Sequence, residues 1–173
     1  MRALMRAAVA ATFLVCGLAM VAAPALAGKG DLQQVAGPDP SPDLMRALMA
    51  WAAPRIDLPV PAVLPRIVRK DHCALNAIAR PGAECPDADG PGVRALYSSG
   101  VLWLNTEWRS DSIRDVSFLL HELVHHMQFH AGIAPLPCAG EALEKPAYEA
   151  HMAFLDAAGL DPYEVTGING LYL

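Results

Sequence analysis

The sequence predicts an α+β domain in which a small antiparallel or mixed sheet packs against helices. Three observations lead to this prediction: an apolar helix that contains the motif H-E-x-x-H, a two-strand hairpin pattern just before it, and a second helix after it. Glycines and prolines follow the predicted helix ends, where they stop helices. About 146 residues would remain after export, which suits a single domain.

Residues 1–27 have the pattern of a signal peptide. Arg2 and Arg6 precede a nearly continuous apolar run over residues 7–23, and a small-x-small cleavage site ends at Ala27. A retained N-terminal membrane anchor is the alternative for the same residues. The pattern predicts a protein that is secreted or periplasmic.

The mature domain is predicted to span residues 28–173, with its core at about 41–158, and to be acidic. Loss of the two signal-peptide arginines leaves 11 basic and 18 acidic residues, a formal charge of −7. An acidic domain without a basic cluster is poorly suited to bind nucleic acid or an anionic membrane. We therefore expect no nucleic-acid partner and, after signal cleavage, no membrane partner.

The elements before the hairpin are predicted from caps, prolines and alternating apolar residues. Ser41 and Pro42 open a helix that is expected to end at Pro54 and to serve in packing. Residues 56–68 alternate apolar residues with prolines, which predicts an edge strand or an extended crossover. A short turn is expected at residues 76–79.

Three cysteines remain after signal cleavage, and an exported chain meets oxidising conditions. A Cys73–Cys85 disulfide would close a loop rich in proline and glycine, so this pairing is preferred. Cys138 could compete for either partner. A metal-binding role is not expected, because no Cys-x-x-Cys pair exists.

A β-hairpin is predicted just before the motif. Residues 93–97 and 101–105 are strand-like runs on either side of Ser98-Ser99-Gly100. The hairpin leads within a few residues into the motif helix, so we expect it to flank the cleft. An exposed edge there could hold an extended peptide by strand addition.

The motif comprises His121, Glu122 and His125, within a helix predicted at residues 112–130. Residues four apart lie on one face of a helix, so both imidazoles can hold one zinc ion. Glu122 can accept a proton from water at that ion. Apolar residues flank the motif, as in a buried active-site helix; the alternative is a buried helix that carries histidines by chance.

A catalytic zinc site needs a third protein ligand. His126 lies on a different helix face from the histidine pair, and His130 drifts off that face. A second helix, predicted at residues 139–158, offers further candidates. Helix-face geometry leaves four residues open as the third ligand: Glu141, Glu144, Glu149 and His151.

The motif, followed by a helix that contains Glu144-Lys145-Pro146-Ala147, resembles the gluzincins, the thermolysin-like zinc metallopeptidases. In that family two histidines of one helix and a glutamate of a later helix bind zinc. The resemblance covers about residues 94–155. The chain also resembles small exported bacterial proteins of the zincin type. It implies a minimal zincin-like domain with His121, His125 and Glu144 as Zn²⁺ ligands.

The same resemblance implies catalytic roles. Glu122 would be the general base, and Tyr148, which stands where the family usually has an aspartate, would stabilise an oxyanion or pack. The metzincin pattern is not met, because Gln128 and Ala131 occupy positions that require glycine and histidine. Two other residues are candidates for the oxyanion role: His126 and His151.

The expected activity is zinc-dependent hydrolysis of a peptide or amide bond outside the cytoplasm. A peptide or protein would be the substrate, with cell-wall peptides as one possibility. Two alternatives belong to other classes: a zinc-bearing binding module without turnover, and a structural helical protein without metal.

Overall fold

The computed structural model describes residues 39–85, 92–133 and 140–167, which form a mixed α+β fold. The predicted signal peptide and Cys138 lie outside these residues. Within the described ranges there are five helices: α1 (Pro42–Ile56), α2 (His72–Ala79), α3 (Ile113–His130), α4 (Gly140–Ala157) and α5 (Pro162–Thr166). The three strands of the described sheet are β1 (Arg66–Lys70), β2 (Ala95–Ser98) and β3 (Val101–Asn105).

Helix α1 continues past its predicted end at Pro54. Its start is capped as expected, because the hydroxyl of Ser41 accepts the N–H of Leu44 at 3.1 Å. Pro54 lies in the last turn, where its missing N–H deprives only the carbonyl of Ala50, an exposed residue, of a helical partner. The helix therefore runs to Ile56, and the predicted end was wrong.

The sheet is mixed, with the strand order β1-β3-β2. Strand β1 runs parallel to β3, and β2 runs antiparallel to β3 with Tyr97 opposite Leu102. The predicted hairpin is confirmed. Ser99 and Gly100 form its two-residue turn with φ angles of 46° and 85°, and a type I′ turn requires positive φ at both positions. Strand β2 thus forms an edge of the sheet.

Two short helices that the sequence did not predict follow aspartate caps. Helix α2 stands in place of the turn predicted at residues 76–79, because the carboxylate of Asp71 accepts the N–H of Ala74 at 2.8 Å. Helix α5 lies within residues 159–173, where Asp161 accepts two backbone N–H groups. In both cases an aspartate cap stabilises the first turn.

The core lies between the sheet and helices α1, α3 and α4, with α3 at its centre. Helix α3 is buried on several faces, which fixes its rotation and the direction of its polar side chains. No described helix is long and apolar enough to cross a membrane. The largest fully buried side chains of the described residues include Leu48, Met49, Leu102, Leu104, Leu119, Leu120, Leu123, Met127 and Phe154.

A disulfide joins Cys73 to Cys85, the pairing that the sequence favours. It closes a loop with a sequence separation of 12 residues. Closing a loop of this size is worth about 3 kcal/mol in the chain-entropy description. We expect the double variant Cys73→Ser, Cys85→Ser to lose about 3 kcal/mol of unfolding free energy in chemical denaturation. Cys138→Ser is the control, and equal stability of the double variant and the control would contradict the prediction.

A salt bridge between a partly exposed arginine and a buried aspartate holds the start of α3. Nε and Nη2 of Arg94 donate to the two carboxylate oxygens of Asp115 at 2.9 and 3.0 Å, and Asp115 is 3% exposed. Loss of one partner from a buried pair leaves an uncompensated charge, which costs about 3–5 kcal/mol. The backbone N–H of Arg109 also donates to this carboxylate, so some compensation would remain.

We therefore expect Arg94→Met to lower the unfolding free energy by about 3 kcal/mol. The matched control is Arg109→Met, whose exposed side chain pairs with Asp111. Exposed pairs contribute less than about 1 kcal/mol. Chemical denaturation of both variants measures the difference, and equal losses would contradict the role assigned to the buried carboxylate.

Candidate metal centre

His121 and His125 project from the same face of α3, one turn apart. Their Nε2 atoms lie 3.1 Å apart, and their ring centroids are 4.8 Å apart in an edge-to-face arrangement. His121 is buried and His125 is half-buried. The start of the helix is fixed by Ser112, whose hydroxyl accepts the N–H of Asp115 at 3.2 Å. The packing of α3 thus directs both imidazoles to one point.

Helix α4 brings Glu144 to that point. Its Oε2 lies 3.2 Å from Nε2 of His121, and its Oε1 lies 3.5 Å from Nε2 of His125. The side chain of Glu144 is 46% exposed, so the cluster is open to solvent on the α4 side. The three residues that the resemblance implies as ligands therefore place donor atoms within 4.8 Å of one another.

The geometry and chemistry of these donors fit a zinc ion. Bonds of about 2.0–2.1 Å in a tetrahedral site place neighbouring donors about 3.3 Å apart. The two Nε2 atoms lie 3.1 Å apart and Oε2 of Glu144 lies 3.2 Å from His121, both near that value, whereas the 3.5 Å to His125 is measured from the other carboxylate oxygen. Two imidazoles and one carboxylate also form a donor set of catalytic zinc sites, whereas magnesium and calcium prefer oxygen ligands alone.

Electrostatics in the metal-free cluster favour a cation. Burial lowers the pKa of His125, but the hydrogen bond to Glu144 and the charges of Glu122 and Glu144 outweigh burial and raise that pKa to about 8. Hydrogen bonds from His121 and His125 hold the pKa of Glu144 well below its usual range. Glu144 is therefore ionised at neutral pH and available as a ligand.

Gln128 orients His125. Nδ1 of His125 lies 2.8 Å from Oε1 of Gln128, and Nε2 of Gln128 donates to the carbonyl of Leu143 on α4 at 2.8 Å. An amide oxygen only accepts hydrogen bonds, so neutral His125 carries its proton on Nδ1 and presents a bare Nε2 to the cluster. Gln128 thus acts as metal-site partners of histidine do, and it ties α3 to α4.

Glu122 is held beside the cluster by the edge strand. Its Oε2 accepts the backbone N–H of Tyr97 at 2.7 Å, and the residue is buried. Glu122 directly follows His121 in α3, and its charge contributes to the raised pKa of His125. This hydrogen bond engages Oε2 of the carboxylate.

His126 fastens β2 to α3 and lies outside the cluster. Its Nε2 donates to the carbonyl of Val63 at 2.8 Å, and its Nδ1 accepts from the hydroxyl of Tyr97 at 3.2 Å. The N–H of Gly100 donates to the same hydroxyl at 2.8 Å. Burial lowers the pKa of His126, which favours this neutral form. These hydrogen bonds fix the position of the hairpin that binds Glu122. Both ring nitrogens of His126 are engaged in them, so His126 is not placed to stabilise an oxyanion.

The other candidate residues lie at or outside the border of the cluster. Tyr148 packs its ring on His121, with centroids 4.5 Å apart. Glu149 lies on the exposed face of α4 beside Lys145. The side chain of Glu141 lies outside the described residues.

His151 is buried behind His121 and does not join the donor atoms. Its Nε2 lies 2.8 Å from the hydroxyl of Ser117. Burial and the charge of His121 lower the pKa of His151 to about 3, so His151 is neutral. The structure gives it neither the position of a third ligand nor that of an oxyanion donor.

One protein-family model matches the chain over residues 37–168, and it describes a domain of unknown function, DUF6647. The chain belongs to this family. The match includes all described helices and strands as well as the four residues His121, Glu122, His125 and Glu144. No curated protein and no solved structure shows significant similarity to the sequence.

Three residues of this DUF6647 domain contribute to the centre without a role predicted from sequence: Gln128, Ser117 and Tyr97. The spacing contained a signal for two of them. Gln128 lies three residues after His125 on the same helix face, and Ser117, four residues before His121, lies where α3 meets His151 of α4. Tyr97 holds Glu122 through its backbone N–H, a group that every residue except proline has, so its side chain gave no indication.

Proposed function

We propose that this DUF6647 domain is a minimal zincin, a zinc-dependent metallohydrolase of the gluzincin type that cleaves peptide or amide bonds. One observation carries the proposal: His121, His125 and Glu144, on two helices, place donor atoms within 4.8 Å of one another. A buried carboxylate, that of Glu122, is fixed next to this cluster. Histidines that serve only in core packing would not require the donor atoms of three residues to meet at one point.

In the proposed mechanism, His121 and His125 bind the metal through Nε2 and Glu144 binds it through its carboxylate. Bound there, zinc would supply Lewis acidity, which lowers the pKa of water and polarises a carbonyl group. Glu122 accepts at Oε1 a proton from the water whose oxygen bonds to the carbonyl carbon, and it delivers this proton to the amine nitrogen as the C–N bond breaks. The N–H of Tyr97 holds Oε2 throughout, so the carboxylate needs no reorientation between the two transfers.

Tyr148 is the proposed oxyanion stabiliser. Its ring borders His121, and the phenol is a hydrogen-bond donor of the kind that stabilises developing negative charge. Of the three residues considered for this role, His126 is bound to the carbonyl of Val63 and His151 to the hydroxyl of Ser117, whereas the ring of Tyr148 lies directly against His121.

The proposed substrate is an extended peptide, which includes the peptides of cell walls. Strand β2 is an edge strand, and the N–H of Tyr97 on that edge points to Glu122. A peptide added along this edge would lie beside the general base and pair with edge groups other than the N–H of Tyr97, which Glu122 occupies. We place the reaction outside the cytoplasm, because the Cys73–Cys85 disulfide is of the kind that persists in oxidising compartments.

The test is zinc content per chain of the mature protein by elemental mass spectrometry, together with hydrolysis of a peptide library that includes cell-wall peptides. We expect close to one zinc per chain, none in His121→Ala, and hydrolysis that stops when a chelator removes the metal. If the protein binds no zinc after zinc has been offered, the result would support the alternative of a structural helical protein without metal. Zinc without any cleavage would indicate a binding module.

A further inference from the structure

The two histidines of the cluster differ in how their second ring nitrogen is satisfied. Nδ1 of His125 has a partner in Gln128. Nδ1 of His121 is buried and has no hydrogen-bond partner among the described residues. A histidine that binds metal through Nε2 carries its proton on Nδ1, and this N–H normally donates to an acceptor. In the metal-bound state, His121 would therefore need an acceptor that its own helix does not supply.

A second buried nitrogen, Nδ1 of His151, also lacks a partner within the described part of the chain. The ring of His151 is next to that of His121, with centroids 5.9 Å apart and planes at 70°. The ring of Phe118 packs against His151 with centroids 4.9 Å apart, which restricts its orientation. Two unsatisfied buried nitrogens thus occupy neighbouring rings, and each destabilises the folded state as long as it has no hydrogen-bond partner.

Ser117 determines which nitrogen of His151 is protonated. The hydroxyl of Ser117 donates to the carbonyl of Arg114 at 2.7 Å, so its proton is already used. Toward His151 it can only accept, and Nε2 of His151 lies 2.8 Å away. Neutral His151 therefore carries its proton on Nε2, and its Nδ1 is a bare acceptor. The donor of His121 and the acceptor of His151 are complementary.

We propose that His151 is a positioning residue of the metal centre, which accepts the Nδ1–H of metal-bound His121 directly or through one buried water molecule. Ser117 selects the tautomer of His151 that makes this possible. The inference rests on the proposed zinc site and deepens it. His151 would then be to His121 what Gln128 is to His125, a hydrogen-bond acceptor for Nδ1–H. One interaction would satisfy both buried nitrogens.

Two substitutions of His151 separate positioning from packing. Glutamine can place an amide N–H near the position of Nε2, and so keep the bond to Ser117, but it has no acceptor at the position of Nδ1. Asparagine places its amide oxygen near the position of Nδ1 but does not reach Ser117. If His151 serves only in packing, His151→Gln should keep the zinc affinity better than His151→Asn. If His151 positions His121, His151→Asn should keep the zinc affinity better than His151→Gln.

The readout is the zinc dissociation constant of the mature protein, measured by competition with a chromophoric chelator at constant pH. We expect zinc to bind about 10–100-fold more weakly to His151→Gln, but within about threefold of wild type to His151→Asn. His130→Gln, on the exposed last turn of α3, is the control and should match wild type. Equal affinity of His151→Gln and wild type would overturn the inference.

Nitrogen-15 NMR of the imidazole rings supplies a second readout that needs no substitution at His151. In zinc-loaded wild type we expect His121 protonated at Nδ1 and His151 protonated at Nε2. In Ser117→Ala, His151 loses the acceptor that fixes its tautomer, so we expect a mixture of tautomers and weaker zinc binding. A single Nε2–H tautomer with unchanged affinity in Ser117→Ala would overturn the inference, even if both His151 variants fail to fold.

Failure of this inference can be told apart from failure of the proposed function. Wild-type protein that binds no zinc would contradict the metal centre itself. Wild-type protein that binds zinc, while His151→Gln binds it equally well, would contradict only the role of His151.

Discussion

Glu122→Gln is expected to retain close to one zinc ion per chain and to lose about 10³-fold in kcat/KM. The carboxylate of Glu122 binds the N–H of Tyr97 and is not among the three clustered donors. A glutamine can keep that bond through its amide oxygen, so the hairpin and the metal ligands should stay in place. It cannot accept a proton, and a positioned proton-transfer group contributes about 10²–10⁴-fold.

The matched control is Glu149→Gln, which makes the same chemical change on the exposed face of α4. It should alter neither zinc content nor activity. Steady-state kinetics with the best peptide of the library, together with elemental mass spectrometry, separates the two expected effects of Glu122→Gln. Full activity in that variant would remove Glu122 from the mechanism, and loss of zinc would show that its carboxylate takes part in binding.

The sequence predicted α3 and the hairpin well because local chemistry determines them. Ser112 caps the helix, Gly132 follows its end with φ of 75°, and the positive φ angles of Ser99 and Gly100 suit a two-residue turn. These features act over three or four residues. The end of α1 was missed because a proline in a last turn costs little, and the pattern alone does not distinguish that position from a true stop.

The third ligand could not be decided from helix periodicity. Glu144 and its competitors lie on α4, and which of them meets His121 depends on how α4 crosses α3. That crossing is set by packing between distant residues, such as Phe154 against Trp51 of α1, with ring centroids 5.5 Å apart. The resemblance indicated Glu144, whereas the contacts that hold the histidines, through Gln128 and Ser117, became visible only in three dimensions.

Zinc is expected to raise the Tm of the wild-type protein by roughly 10 °C and to leave that of His125→Ala unchanged. The donors come from two helices, so the unfolded chain has no preformed site and the metal stabilises the folded state alone. At a free zinc concentration of about 1,000 times Kd, binding contributes about 4 kcal/mol. One kcal/mol corresponds to about 2–4 °C in a domain of roughly this length.

The informative quantity is the difference in Tm with and without zinc, measured by circular dichroism for each variant. Glu144 already interacts with both histidines in the metal-free protein, so Glu144→Gln should lower the metal-free Tm as well as the increment due to zinc. His130→Ala is the control, because this exposed histidine lies outside the cluster, and it should keep the full increment. An equal increment in wild type and His125→Ala would place the zinc elsewhere, because a site built from His121, His125 and Glu144 cannot lose a ligand without losing affinity.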